Sequence, residues 1–381
     1  MSGAARRKLC YVTGTRADFG LMASTLRSLR DDPRFDLELI VTGMHLDARY
    51  GNTVSEIESD GFKVAAKVPV DQSDTTGATM ARNIGAMLQR FVDVLAQSAP
   101  DGVLLLGDRG EMLAGAIAAI HLGIPIIHLH GGERSGTVDE PVRHAISKFA
   151  NFHFVATSQS RDRLVRMGEE GAAIQVVGAP GLDGLAQLAR VDREALCEEA
   201  GLDPAGRVAL LLYHPVLAEA AQAGESARRV VAGLREAGCQ ILALMPNSDA
   251  GGTLVRDALL EAQAQGALVT RVHLPRERFV SWMAACDVMV GNSSSGIIEA
   301  ATFGTPVVNV GSRQQGRERN ANVVDVQADV GAVAAAVGRA LAQGRLPCAN
   351  VYGTGNAGKL IVEALAGLAL RRSETGKVNA Y

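Results

Sequence analysis

Thirteen residues, "HLHGGERSGTVDE" from His128 to Glu140, hold two histidines, two glutamates, an aspartate, an arginine and three glycines. Five of the eight histidines in the chain fall between His121 and His153. Histidine titrates nearest neutral pH, and a carboxylate beside it tunes that titration, so the mixture reads as acid/base chemistry. His128 and His130 are two apart at the end of an apolar run, which in a strand predicts that both point to one face. Gly131 and Gly132 then let the backbone turn, and "PVRHAISK" predicts a helix opening at Pro141. The H-x-H pair with a carboxylate is also a metal pattern, but no other ligand spacing in the chain supports it, so no metal is expected.

Other polar clusters come after other apolar runs. "CYVT" leads into Gly14, Thr15, Arg16 and Asp18; "LLLG" into Asp108 and Arg109; "LLLY" into His214; "LALMP" into Asn247; "VNVG" into Arg313. "GNSSSGIIEA" is the strongest phosphate candidate: a strand, a turn of small residues, then a helix start. There Ser293, Ser294 and free backbone N–H groups would bind an anion, with Glu299 one turn on to accept from a ribose hydroxyl. "GTGNAGK" (353–359) matches G-x-G-x-x-G, yet no convincing strand precedes it and it reads as the capped start of the last helix. With neither a P-loop nor an N-terminal dinucleotide fingerprint, ATP hydrolysis and nicotinamide redox chemistry lose support.

These clusters need a frame. Thirteen short apolar runs alternate with amphipathic segments, which predicts an α/β protein with parallel sheets and helices on both faces. Thirteen strands are too many for one such sheet. The Gly-rich stretch before "ARVDREAL" suggests a break near Gly184. Ligands of open α/β sheets bind beyond the carboxyl ends of strands. Polar strand ends in both halves therefore predict one cleft with a wall from each. "NAGKLIVEALAGLAL" reads as a strong apolar helix, and "RRSETGKVNAY" as a loose tail.

The 381 residues are 47% hydrophobic and carry a net charge of −3. That balance implies no general attraction to nucleic acid or to an anionic membrane. Five scattered cysteines without a C-x-x-C suggest reduced thiols and a cytoplasmic protein. The apolar run after "ARRK" is too short for a signal peptide, and no unbroken stretch is long enough for a membrane span.

The strings "GTRADFG", "GDRGE", "HLHGGERSGTVDEPVRHAISK", "YHP", "GNSSSGIIEA" and "GTPVVNVGSRQQGRERNAN" occur in order over almost the whole chain. Together they resemble the hydrolysing UDP-N-acetylglucosamine 2-epimerases of bacterial sialic and legionaminic acid synthesis. The resemblance implies a GT-B architecture, two Rossmann-like domains whose parallel sheets face a central cleft. It divides the chain into 1–184, rejoined by the final helix 356–381, and 185–355. It implies that Asp108 and Asp139 are acid/base carboxylates, with Arg109, His130, Glu133 and His144 lining the reacting end. Arg16, His214, Asn247, Ser293, Ser294, Glu299 and Arg313 would contact the nucleotide. No cofactor, a UDP-sugar substrate, a UDP product and a homodimer are expected.

One departure stands out. Many sialic-pathway members carry "HxEGGE", with a glutamate where this chain has His130. The histidine form resembles members acting on 2,4-diacetamido-2,4,6-trideoxy sugars. A non-hydrolysing epimerase, a GT-B glycosyltransferase and a non-catalytic sugar-nucleotide sensor stay as alternatives. They differ in whether free UDP appears, whether an acceptor is needed, and whether anything turns over.

Overall fold

Each of the thirteen apolar runs forms a strand, and every pairing between strands is parallel. The computed structural model describes residues 6–370 and 377–380. The first sheet contains β1 (Arg7–Thr13), β2 (Phe35–Thr42), β3 (Lys63–Val68), β4 (Gly102–Leu106), β5 (Ile126–Leu129), β6 (Phe152–Val155) and β7 (Ile174–Val176). Its order is 3-2-1-4-5-6-7. The second contains β8 (Val208–Leu212), β9 (Gln240–Leu244), β10 (Val269–Arg271), β11 (Val288–Gly291), β12 (Val307–Val310) and β13 (Val323–Val326), in the order 10-9-8-11-12-13. Both are doubly wound orders, and the architecture is GT-B: two Rossmann-like sheets.

Strands covered on both faces must be apolar throughout, and β4 (GVLLL) and β8 (VALLL) are wholly buried. In each sheet the order reverses beside one strand pair, β1 and β4 in the first, β8 and β11 in the second. That reversal opens a crevice at the carboxyl ends, where doubly wound folds bind ligands. The sequence puts Arg16 and Asp108 after one pair and His214 and Ser293 after the other.

The chain crosses between the sheets twice. It leaves the first after β7, and from residue 344 it returns after the helix Val330–Gln343 to the helix Ala357–Gly367. Ile361 and Leu365 of that last helix are fully buried with Met22 and Leu26 of the helix Arg16–Asp31. Each such side chain contributes about 1.5–3 kcal/mol. The two crossings touch: the Ala179 N–H donates to the Tyr352 carbonyl at 2.7 Å. At Gly178, with φ of +86°, a β-carbon would press on that same carbonyl.

The terminal segment departs from the sequence reading in two ways. The last helix ends at Gly367, because Leu368 takes an extended conformation (ψ 140°). Its start is capped from outside: Asp183, in the first crossing, accepts from the N–H groups of Ala357 and Gly358. In the expected loose tail, residues 371–376 lie outside the described residues, as do residues 1–5. Residues 377–380 are docked, with Lys377 against Glu169 and the Ala380 N–H on the Gly168 carbonyl. No helix among the described residues is long and apolar enough to cross a membrane.

Candidate active site

A cavity of about 280 Å³ lies between the carboxyl ends of the two sheets. Its first wall carries Arg16 after β1, Asp108 and Arg109 after β4, His130 and Glu133 after β5, and Asp139 at the head of the next helix. Its second wall carries His214, Asn247, Ser293, Ser294, Glu299 and Arg313. Of the residues expected here only His144 is not in the lining. It is partly buried, 3.8 Å from Glu140, and burial pushes its titration below the ordinary histidine value.

Local rules account for much of this placement. Thr15 and Asp18 form a reciprocal capping box that starts the helix Arg16–Asp31 at the cleft. Arg16, its first residue, reaches across to the Val272 carbonyl at 2.6 Å. The helix after β5 begins at Asp139 rather than Pro141. Proline at the third helical position is tolerated, since the first N–H groups have no intrahelical partner. The earlier start places Asp139 at the cavity and Arg143 one turn behind it.

The two central histidines part company. β5 ends at Leu129, and His130 takes a left-handed backbone with φ of +59°, so strand alternation does not extend to it. That conformation costs a non-glycine residue about 1–2 kcal/mol. His128 is in the core. Its Nε2 faces the Gly107 carbonyl at 2.7 Å and so donates, leaving Nδ1 to accept from the Ser147 hydroxyl at 3.0 Å. Burial pushes its pKa down to about 3, and it is a neutral, fully satisfied structural residue. His130 instead lines the cavity, with Nδ1 2.5 Å from Glu133 Oε1. At Gly132 (φ +74°) the turn between them leaves no room for a β-carbon against the Ser160 carbonyl.

Two arginines that were not singled out in the sequence tie the carboxylates together. Arg143, 1% exposed, pairs with Asp108 and donates to the Glu133 carbonyl at 3.1 Å. Arg317, from beyond β12, is 2.8 Å from Glu133 Oε2. Burial alone would raise the Glu133 carboxyl, but Arg317 and His130 outweigh it and hold it below its ordinary value. Arg109 is divided between Glu111 (2.9 Å) and Asp249 (3.2 Å) on the opposite wall. Nothing in the local sequence around Arg143 or Arg317 announced these partners.

On the second wall, the Asn292 side chain brackets the His214 backbone, accepting from its N–H at 2.7 Å and donating to its carbonyl at 2.8 Å. His214 Nδ1 accepts from the Asn247 N–H at 3.4 Å, so in the neutral ring Nε2 is the donor. Burial takes its pKa down to about 3, which makes it a neutral donor rather than a cation. Ser293 caps the short helix Ser294–Ile298. Glu299 is buried: Oε1 pairs with Arg276, and Oε2 has no hydrogen-bond partner among the described residues.

The arrangement combines carboxylates and a histidine on one wall with serines, a neutral imidazole and Arg313 on the other. The first set can move protons and the second can hold an oxyanion. A model of the family described as UDP-N-acetylglucosamine 2-epimerase matches residues 27–366. The chain is 48% identical over 375 residues to the UDP-N,N'-diacetylbacillosamine 2-epimerase (hydrolyzing) of Legionella pneumophila, covering 98% of this chain and all of that one. It is 33% identical over 352 residues, 92% of each chain, to the UDP-N-acetylglucosamine 2-epimerase of Neisseria meningitidis serogroup B. Among solved structures, Methanocaldococcus jannaschii UDP-GlcNAc 2-epimerase in complex with UDP-GlcNAc and UDP matches with a TM-score of 0.79 at 19% identity. That match covers 94% of this chain and 99% of the other, and it is a likeness of fold.

Proposed function

This chain belongs to the UDP-N-acetylglucosamine 2-epimerase family, and on that footing we propose that it is a hydrolysing 2-epimerase. Its substrate is a UDP-linked 2-acetamido sugar, with the 2,4-diacetamido-2,4,6-trideoxy form preferred. The observation that carries the reading is the single cavity in which Asp108, His130, Glu133 and Asp139 face Ser293, Ser294, His214 and Arg313. The Legionella relative, whose name specifies both hydrolysis and the diacetamido sugar, supports the finer choice. The product would serve nonulosonic acid synthesis of the legionaminic type.

The chemistry explains why both walls are needed. The C2 hydrogen of such a sugar is not beside a carbonyl, so direct deprotonation is hopeless. A base takes the C2 proton while the C1–O bond breaks. The C2–H electron pair becomes the C1=C2 bond, and UDP leaves with the C1–O pair. Water then adds across the glycal, hydroxyl to C1 and a proton to C2 on the other face, giving a free ManNAc-type sugar. Asp108, Asp139 and His130 are the proton carriers, each of a kind that contributes about 10²–10⁴-fold. Ser293, Ser294, Arg313 and the His214 Nε2–H stabilise the departing diphosphate, and the unpaired oxygen of Glu299 accepts from a ribose hydroxyl. Arg16 and Asn247 line the same end, while Arg109 holds the walls together. His144, outside the lining, supports the acid/base end from behind. The reading takes 1–184 with 356–381 as the sugar-side domain, 185–355 as the nucleotide side, and the protein as a cytoplasmic homodimer.

Proton NMR in D2O with each UDP sugar, without acceptor, tests it. Free UDP and a ManNAc-type sugar deuterated at C2 are expected. An intact epimerised UDP sugar, or turnover only when an acceptor is supplied, would overturn it. Parallel runs with GDP-linked sugars decide the nucleotide.

A further inference from the structure

Glu133 has its two oxygens committed to different partners. Oε1 is 2.5 Å from His130 Nδ1, and Oε2 is 2.8 Å from Arg317 Nη1 of the opposite wall. Arg143 holds the Glu133 backbone through its carbonyl. A carboxylate can only accept from a ring nitrogen, so Nδ1 carries a hydrogen. The neutral ring then has its lone pair on Nε2, which has no protein partner among the described residues while the ring itself lines the cavity. We infer that Glu133 and Arg317 are positioning residues that lock His130 in the Nδ1–H tautomer, making His130 Nε2 the base that takes the C2 proton. The inference rests on the proposed epimerase activity.

The step balances. The C2–H bond breaks and an Nε2–H bond forms; the C2–H pair becomes C1=C2 and UDP carries off the C1–O pair. The imidazolium, its charge matched by Glu133, later releases that proton to solvent. A buried carboxylate behind the ring fixes its tautomer and stabilises the imidazolium that forms, and Glu133 is 4% exposed. The charged and titratable groups around His130 are Glu133 on its own loop, His128 on β5, Arg143 on the helix beginning at Asp139 and Arg317 from the second wall. Asp108 and Asp139 share the cavity.

Four variants and one spectrum decide it. His130→Ala lowers kcat about 10²–10⁴-fold and removes the acid limb of the kcat/KM profile. Glu133→Gln removes a negative charge beside the ring and moves that limb to lower pH. Arg317→Met removes a positive charge and moves it to higher pH. Arg317→Lys, which keeps the charge, returns the limb towards its original place. UDP binding by calorimetry verifies that each variant is folded. Nitrogen-15 NMR of His130 in the wild-type protein shows a protonated Nδ1 and a bare Nε2 in the neutral ring. Shifts in the same direction for Glu133→Gln and Arg317→Met, an unmoved limb, or an Nε2–H tautomer would overturn the inference. If the wild-type protein turned over no sugar nucleotide, the epimerase reading would fail instead, and the spectrum would still decide the tautomer.

Discussion

Replacing Arg143 by methionine isolates the buried pair behind the reacting end. The guanidinium is 1% exposed and its partner Asp108 is 18% exposed. Removing one member of a buried pair costs about 3–5 kcal/mol, chiefly because the other charge is stranded. Asp108 borders the cavity and regains some water, which lowers that cost. The Glu133 carbonyl loses its donor at 3.1 Å, a loss of about 1 kcal/mol. The expected sum is about 2–4 kcal/mol of stability. In urea, at a slope of about 2–3 kcal/mol per molar, the unfolding midpoint falls by about 1 M. The discriminating measurement adds Asp108→Asn. Neutral asparagine needs no counter-ion, so Arg143→Met in that background should cost about 1–3 kcal/mol less. Arg143→Met melting like the wild type, or equal costs in both backgrounds, would refute the argument that this arginine exists to hold the Asp108 charge.

Asp183→Ala removes the outside cap of the last helix and should cost about 1 kcal/mol; faster hydrogen exchange at Ala357 and Gly358 is the check. His128 stays neutral in the fold down to about pH 3, whereas in the unfolded chain it protonates near 6.5. Its contribution is therefore complete above about 6.5 and is lost as pH falls towards about 3, the unfolded state binding the extra proton. A His128→Gln variant should show a flatter loss of urea midpoint across that window. Ser294→Ala should weaken UDP binding by about tenfold, the value of one hydrogen bond to a charged acceptor at about 1.5 kcal/mol; calorimetry with UDP alone reads it.

All thirteen strands were legible because a doubly covered strand must be apolar along its length, and a short apolar run between turn residues is hard to mistake. The cavity was legible for a related reason: in this topology the residues just past a strand's carboxyl end face the ligand. Sequence spacing is silent where tertiary pairing decides the outcome. His128 and His130 look equivalent in the sequence, but the strand stops between them, sending one ring to the core and the other to the cleft. Arg143 and Arg317 lie in different halves of the chain, and only the meeting of two walls at Glu133 gives them a shared purpose. Glu299 lines the cavity, and its pairing with Arg276 could not be read beforehand, because an ion pair leaves no trace in spacing.

The two covalent crossings run beside the β7 and β13 edges of the sheets. The Tyr352 hydroxyl in the second one donates to the Glu318 carbonyl at 2.9 Å, next door to Arg317. On the opposite side, His273, just after the edge strand β10, meets Glu56 at 2.8 Å, in the connection between β2 and the edge strand β3. A body pinned along one edge swings about that edge. A swing about that edge would carry the far side most and would leave the Glu133–Arg317 ion pair, next to the crossings, nearly in place. On the proposed function, the cleft would open with the His130–Glu133–Arg317 contacts still made, so that the ring is held ready before a substrate arrives.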